Sequence, residues 1–148
     1  MGKSKPVWDR LLAAAQQRRP RTAPADLKIL VVDDELWSAL DMEWVCRKLG
    51  HEVVGPAATA EEAIRIASDE RPDLVLMDIR LAGAADGISA ATEIRRQLDI
   101  PSLFVTAHGD TATRQRAEHA APAGFIEKPF APETLALAII KALDPDRG

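Results

Sequence analysis

The run Leu74-Val75-Leu76-Met77, closed at once by Asp78, narrows the folds open to this chain more than any other stretch. Four consecutive apolar residues without alternation read as a strand buried on both faces, and such strands belong to parallel sheets covered by helices on each side. The carboxylate stands at the strand's C-terminal end, the edge where open α/β sheets bind ligands. Taken alone, Asp78 reads first as a residue that ends a strand or caps a turn, as aspartate often does. The other strand ends decide between the two.

The same unit recurs along the chain. Apolar runs over residues 27–32, 51–55, 74–77, 102–105 and 124–127 predict five strands. Helices are expected over residues 36–49, 59–70, 88–98, 111–120 and 132–143. Gly50 supplies a C-terminal stop for the first of these. Thr59 is the N-cap of the second, with Glu62 in the capping-box place. The Asp86-Gly87 pair reads as a turn, and Pro132 suits the first turn of the last helix. Strand and helix alternating five times predict a parallel sheet with right-handed crossovers and helices on both faces. At 148 residues this is one domain.

Charge and composition exclude several classes. A net charge of −4 leaves no footprint for nucleic acid over the chain as a whole. Residues 1–26 are the exception, with six Lys/Arg against two Asp/Glu, which marks a basic extension on an acidic domain that spans residues 27–144. Val7, Trp8, Leu11, Leu12 and Ala15 recur at helical spacing there, so a short amphipathic helix is expected over about residues 7–17. A basic linker broken by Pro20 and Pro24 follows it. The one cysteine, Cys46, excludes an intramolecular disulfide and reads as a small core residue, consistent with the cytoplasm. His51, His108 and His119 are scattered without ligand spacing, so zinc is not expected. No apolar run approaches the roughly 20 residues that span a bilayer. No apolar segment follows the basic N-terminal residues, so a secretory signal is not expected either.

In a parallel sheet all C-terminal strand ends share one edge. The first strand delivers Asp33 and Asp34 there, the third Asp78, the fourth Thr106 and the fifth Lys128. Each has an ordinary reading of its own: Asp34 as an N-cap, Thr106 as a buried β-branched residue, Lys128 as a solvated surface lysine. Together they place three carboxylates, a hydroxyl and an ammonium at one crevice. Three neighbouring carboxylates cannot all stay ionised without a cation. A hard, oxygen-seeking ion suits them, and Mg²⁺ couples readily to phosphate. A carboxylate can itself attack phosphorus to give an aspartyl phosphate. Phosphoryl transfer mainly needs positioning and charge neutralisation, which Lys128 and a metal ion supply, while Thr106 offers a neutral donor.

At this point the chain resembles the receiver domains of two-component response regulators, in the single-domain form typified by the chemotaxis response regulator. The residues that carry the resemblance are Asp33-Asp34-Glu35 after a Val-Val strand, Met77-Asp78-Ile79-Arg80-Leu81, Phe104-Val105-Thr106-Ala107 and Glu127-Lys128-Pro129-Phe130. It implies a flavodoxin-like (βα)5 fold with sheet order 2-1-3-4-5. It implies Asp78 as phosphoacceptor, with Mg²⁺ held by Asp33, Asp34, Asp78 and the backbone carbonyl of Arg80. Thr106 and Lys128 would bind the phosphoryl group, with small Ala107 beside the threonine, Phe125 as the switching aromatic and a cis Lys128-Pro129 bond. The implied donor is a sensor histidine kinase or a histidine phosphotransfer protein. The activity is a signalling switch rather than metabolic catalysis, limited to self-catalysed phosphorylation and dephosphorylation of Asp78. The chain departs from the family where Ala82 stands in place of the usual proline, where the loop after Asp78 is one residue longer, and at Phe125, which lacks a hydroxyl.

With five residues left after Leu143, no output domain is expected, and the signal would leave through a protein contact. Met42, Val45, Cys46 and Leu49 form one apolar stripe on the first domain helix. Trp37, Leu40 and Trp44 form a second on nearly the opposite side at about 100° per residue. That second stripe is a candidate contact surface for the Trp8, Leu11, Leu12 helix, for a kinase's helices, or for a second copy of the chain. The last helix, with Leu135, Leu137, Ile139, Ile140 and Leu143, is another surface that could dock a partner or simply pack on the sheet. Three readings compete with the switch. A receiver-shaped adaptor or dimerisation module working without phosphate would not need the charged set. An Asp-nucleophile phosphatase of another α/β fold would want a second carboxylate where Arg80 stands. A flavodoxin-type FMN protein would want a phosphate loop where this chain puts Asp33 and Asp34.

Overall fold

Five parallel strands, β1 (Lys28–Val32), β2 (Glu52–Ala57), β3 (Leu74–Met77), β4 (Ser102–Thr106) and β5 (Gly124–Glu127), form a single sheet in the order β2-β1-β3-β4-β5. Among the described residues six helices accompany them: α1 (Lys5–Arg18), α2 (Leu36–Lys48), α3 (Ala60–Glu70), α4 (Gly87–Leu98), α5 (Thr111–Glu118) and α6 (Pro132–Ala142). The computed structural model describes residues 5–18 and 27–144. The linker expected after the first helix lies, beyond Arg18 itself, outside the described residues.

The three central runs, in β1, β3 and β4, behave as doubly buried strands, while the edge strands β2 and β5 keep partial exposure. Ile29 and Val31 of β1, Leu74 and Leu76 of β3, and Leu103 and Val105 of β4 face one cluster, which α2 and α6 close with Met42, Val45, Cys46, Leu135 and Ile139. Leu30, Val32, Val75, Met77 and Phe104 face the other, under α3 and α4. Each such side chain contributes about 1.5–3 kcal/mol by leaving water. Cys46 is buried, and burial pushes its thiol up to about 12, so it stays protonated and packs as a small apolar residue.

Several helix ends are set by local chemistry. The Thr59 hydroxyl accepts from the Glu62 N–H at 3.1 Å. The reciprocal bond of the expected capping box is displaced by one residue, because Glu62 Oε1 accepts from the Ala58 N–H at 2.8 Å. Gly50 sits at φ 90°, the left-handed position that ends α2. β2 runs on to Ala57, past the expected end at residue 55, through a cis Gly55-Pro56 bond on the sheet's edge. The Lys128-Pro129 bond is also cis. Asp86-Gly87 is not a free turn: Asp86 caps α4 by accepting from the Ser89 N–H at 2.9 Å, and Gly87 is the helix's first residue.

α1 is longer than the spacing predicted and lies against α6 and the end of α2. Trp8 and Ala15 are buried within the cluster of α2 and α6, with Leu11 and Leu12 packed against it. The Trp8 ring meets Trp44 edge-on at 5.6 Å between centroids. The Lys48 ammonium stands 5.8 Å from the Trp8 ring and 6.0 Å from that of Trp44. Of the three residues in the second stripe, only Trp44 meets α1. Trp37 stays 75% exposed and Leu40 42%, with Leu36 at 62% continuing the same open surface. On α6, Leu135, Ile139 and Ile140 are core, whereas Leu137 faces out. Replacing Trp8 by alanine should undock α1 at a cost of ~2 kcal/mol. Urea unfolding would read that loss, and a shift of the remaining tryptophan emission to longer wavelength would report that the half-exposed Trp44 had lost its partner ring.

Candidate functional site

Asp33, Asp78 and Lys128 each stand one step beyond their strands, Thr106 is the last residue of its own, and the sheet's ladder still holds them; Asp34 follows one residue further on. The Asp33 N–H donates to the Ala57 carbonyl at 2.8 Å, that of Asp78 to Val32 at 2.9 Å, and that of Lys128 to Thr106 at 2.9 Å. Backbone bonds to neighbouring strands therefore fix where these side chains start. Register does the rest, with Val32 opposite Met77 and Thr106 opposite Glu127.

The side chains converge. Lys128 Nζ donates to Asp33 Oδ2 at 2.7 Å and to Asp78 Oδ2 at 3.0 Å. The Asp33 side chain is fully buried, while those of Asp78 and Lys128 keep 9% and 14% exposure. Asp33 Oδ1 accepts from the Glu35 N–H at 2.9 Å, and Asp78 Oδ1 from the Ile79 N–H at 2.7 Å. One Asp78 oxygen is thus held by backbone and the other by ammonium. Carboxylate oxygens of Asp33, Asp34 and Asp78 lie within 4.8 Å of one another, with Asp34 on the open side. Thr106 is fully buried, and its hydroxyl oxygen accepts from the His108 N–H at 3.2 Å. Ala107 is exposed and shares a shallow hollow with Trp37, Lys128, Pro129 and Phe130. Arg80 points to solvent one residue past Ile79.

Burial disfavours the Lys128 ammonium, but its hydrogen bonds to Asp33 and Asp78 outweigh that penalty and hold its pKa above the ordinary 10.5. Three carboxylates face a single ammonium, which leaves a formal charge of −2, and their donors are all oxygens. That donor set, open at Asp34, fits a hard divalent cation such as Mg²⁺.

Three features lay beyond the sequence reading. The first is Gly87. A Cβ there would stand 1.8 Å from the Asp78 carbonyl oxygen, and the Gly87 N–H donates to the Ile79 carbonyl at 2.7 Å. Only glycine lets the start of α4 close on the backbone of Asp78, and the Asp-Gly pair was the signal that could have shown it. The second is Arg116, whose guanidinium binds Asp86 at 2.8 Å and so ties α5 to the cap of α4. Burial raises the Asp86 pKa, but Arg116 and the Ser89 N–H prevail and hold it below the ordinary carboxylate value. The third is the surroundings of Phe125. Its half-buried ring lies 6.2 Å from that of Phe104, and the Arg114 guanidinium carbon sits 4.5 Å from its centroid. No charge-spacing rule links residues 114 and 125 before the fold is known.

Comparison with known proteins agrees with this geometry. The family model described as the response regulator receiver domain matches residues 29–140. The chain is 39% identical over 127 residues to the phyllosphere-induced regulator PhyR of Methylorubrum extorquens, covering 83% of this chain and 46% of that protein. It is 34% identical over 112 residues to the transcriptional regulatory protein PdtaR of Mycobacterium tuberculosis, covering 76% and 54%. The chain thus spans about half the length of these curated relatives. Among solved structures, the signal receiver domain of a modulated diguanylate cyclase from Desulfovibrio desulfuricans superposes with a TM-score of 0.74 at 36% identity, over 80% of this chain and 94% of that one.

Two outcomes follow for the site. Gly87→Ala should destabilise the fold by ~2–3 kcal/mol, since backbone rather than a pliable side chain occupies the space, and urea midpoints would measure it. The raised Lys128 pKa means that the folded chain binds this proton more tightly than the unfolded chain does. Its contribution to stability is therefore complete below the unfolded lysine value of about 10.4 and drains away as pH rises through the folded value. Lys128→Met should cost ~3 kcal/mol at neutral pH by leaving buried carboxylates unpaired. Urea melts across the alkaline range should then fall less steeply with pH for the variant than for the wild type.

Proposed function

The chain belongs to the response regulator receiver family, and from that premise we propose that it is a phosphorylation switch whose acceptor is Asp78. The observation that carries this reading is the bridge from Lys128 to Asp33 and Asp78, with Asp34 alongside. A carboxylate oxygen of Asp78 attacks the phosphorus of a phosphohistidine on a sensor histidine kinase or histidine phosphotransfer protein. The N–P bond breaks, the imidazole leaves with a proton taken from solvent, and an acyl phosphate remains. Asp33, Asp34, Asp78 and the Arg80 carbonyl would hold Mg²⁺, which supplies charge neutralisation for the phosphoryl oxygens. Lys128, already drawn to Asp78, moves its ammonium onto the incoming phosphoryl group. The Thr106 hydroxyl gives up the His108 N–H to bond a phosphoryl oxygen, with Ala107 leaving the approach open. Hydrolysis of the acyl phosphate by water restores the resting charge.

Exposed Trp37 lines the hollow that holds Lys128, and with the exposed Leu36 and Leu40 of the same helix it is offered as the docking surface for the donor's helices. Trp8, Leu11, Leu12 and Trp44 form the neighbouring, already packed part of that surface. Readout by protein contact, including a second copy of the chain, is the output we propose, and the cytoplasm, where phosphohistidine donors are made, is its setting. No helix among the described residues is long and apolar enough to cross a membrane.

Incubation with acetyl phosphate and Mg²⁺ followed by intact-mass measurement should show one added phosphoryl group. The adduct should vanish in Asp78→Ala and when the metal is chelated. A chain that neither takes up phosphate nor binds Mg²⁺ would instead be a phosphate-independent adaptor.

A further inference from the structure

α5 is the most lightly anchored element of the sheet's second face. Ala117 is its one buried side chain among the described residues, and two arginines fasten it from opposite sides. Arg116 reaches Asp86 at the start of α4. Arg114 reaches β5, where its guanidinium covers the Phe125 ring at 4.5 Å and approaches Glu127 Oε1 at 3.9 Å. Arg114 and Glu127 are each about half exposed, 49% and 57%, so their ion pair at that distance is weak. The ring is the stronger partner. Phe125 has no hydroxyl, so this cation is its polar contact.

Phe125 is also well placed to sense the site. Phe104 pairs with Phe125 and Thr106 with Glu127 across the β4–β5 ladder. All four side chains share one face, because side chains two apart on a strand point the same way. Thr106 and Phe125 are therefore diagonal neighbours.

We propose that Arg114 is a positioning residue for the switch: it holds the Phe125 ring in its outer, half-buried place and opposes movement of that ring toward Thr106. The proposal rests on the reading of Asp78 as phosphoacceptor. A cation over a partly exposed ring biases such an equilibrium by about two- to fivefold at room temperature. Phosphorylation must overcome that bias, so Arg114 sets how readily the chain enters its loaded state. It touches no reacting atom.

The chain has three phenylalanines, so fluorine NMR of the full chain labelled with fluorophenylalanine gives a spectrum in which Phe125 can be followed. Beryllofluoride with Mg²⁺ serves as the phosphoryl mimic. In Arg114→Ala, and in Arg114→Gln should the first fold poorly, the unloaded Phe125 resonance should move toward its loaded wild-type position. Apparent affinity for beryllofluoride should tighten by about two- to fivefold. Arg114→Lys should retain most of the wild-type behaviour, and Glu127→Gln all of it. The proposal is overturned if both charge-removing variants match wild type in resonance and affinity, even where their melting temperature falls. It is overturned as well if wild type binds beryllofluoride and the Phe125 resonance stays fixed, which leaves Asp78 as acceptor intact. If wild type takes up no beryllofluoride, the acceptor reading itself fails, and the latch falls with it.

Discussion

The ammonium of Lys128 between Asp33 and Asp78 is the contact on which the rest depends. β1 and β3 are neighbours, so the parallel sheet places two carboxylates side by side, one of them fully buried. Without a cation they would oppose the folding that brings them together. β5 supplies that cation from the far side of β4. Such an arrangement is weak as a stabilising device, because apolar residues in the same space often do as well or better. Its value lies in a carboxylate that is buried and held at both oxygens, beside a positive charge that can change partners.

The molecule divides into a rigid part and a responsive part. The central strands β1, β3 and β4 and the inner faces of α2, α3, α4 and α6 are nearly without exposure. They fix the starting point of each functional side chain through ladder bonds that run one residue past the strands. α5 is different in kind. It is held by arginines to Asp86, Phe125 and Glu127, which are polar or half-exposed contacts of modest strength. An element so attached can shift for little energy, and its attachments touch both the loop that carries Asp78 and the strand that carries Lys128. Gly87 makes the first of these links stiff, since the cap of α4 lies directly against the backbone of Asp78.

Much of this was legible in the residues. Unbroken apolar runs such as Leu74 to Met77 have a single satisfactory environment, so strand positions and the parallel arrangement followed from them. The shared edge of a parallel sheet then brought Asp33, Asp34, Asp78, Thr106 and Lys128 together without any distance being known. What escaped were contacts that depend on packing between elements distant in sequence. Gly87 looked like half of a turn because its role is set by an absent Cβ near Asp78. Arg114 and Arg116 sat in a polar helix with no apolar period to rank them. Trp8 and Trp44 were each visible as apolar positions, yet only the docked path of α1 decides that Trp44, itself half-exposed, meets the Trp8 ring while Trp37 stays open.

The central claim is that three carboxylates at the ends of β1 and β3 form one cation site serving Asp78. A crystal grown or soaked with Mn²⁺ in place of Mg²⁺ and measured for anomalous scattering tests it most directly. The account predicts one strong peak bonded to Asp78 and to at least one of Asp33 and Asp34, with Lys128 still at the same mouth. Density only at other positions, or no peak among these carboxylates at saturating Mn²⁺, would contradict it.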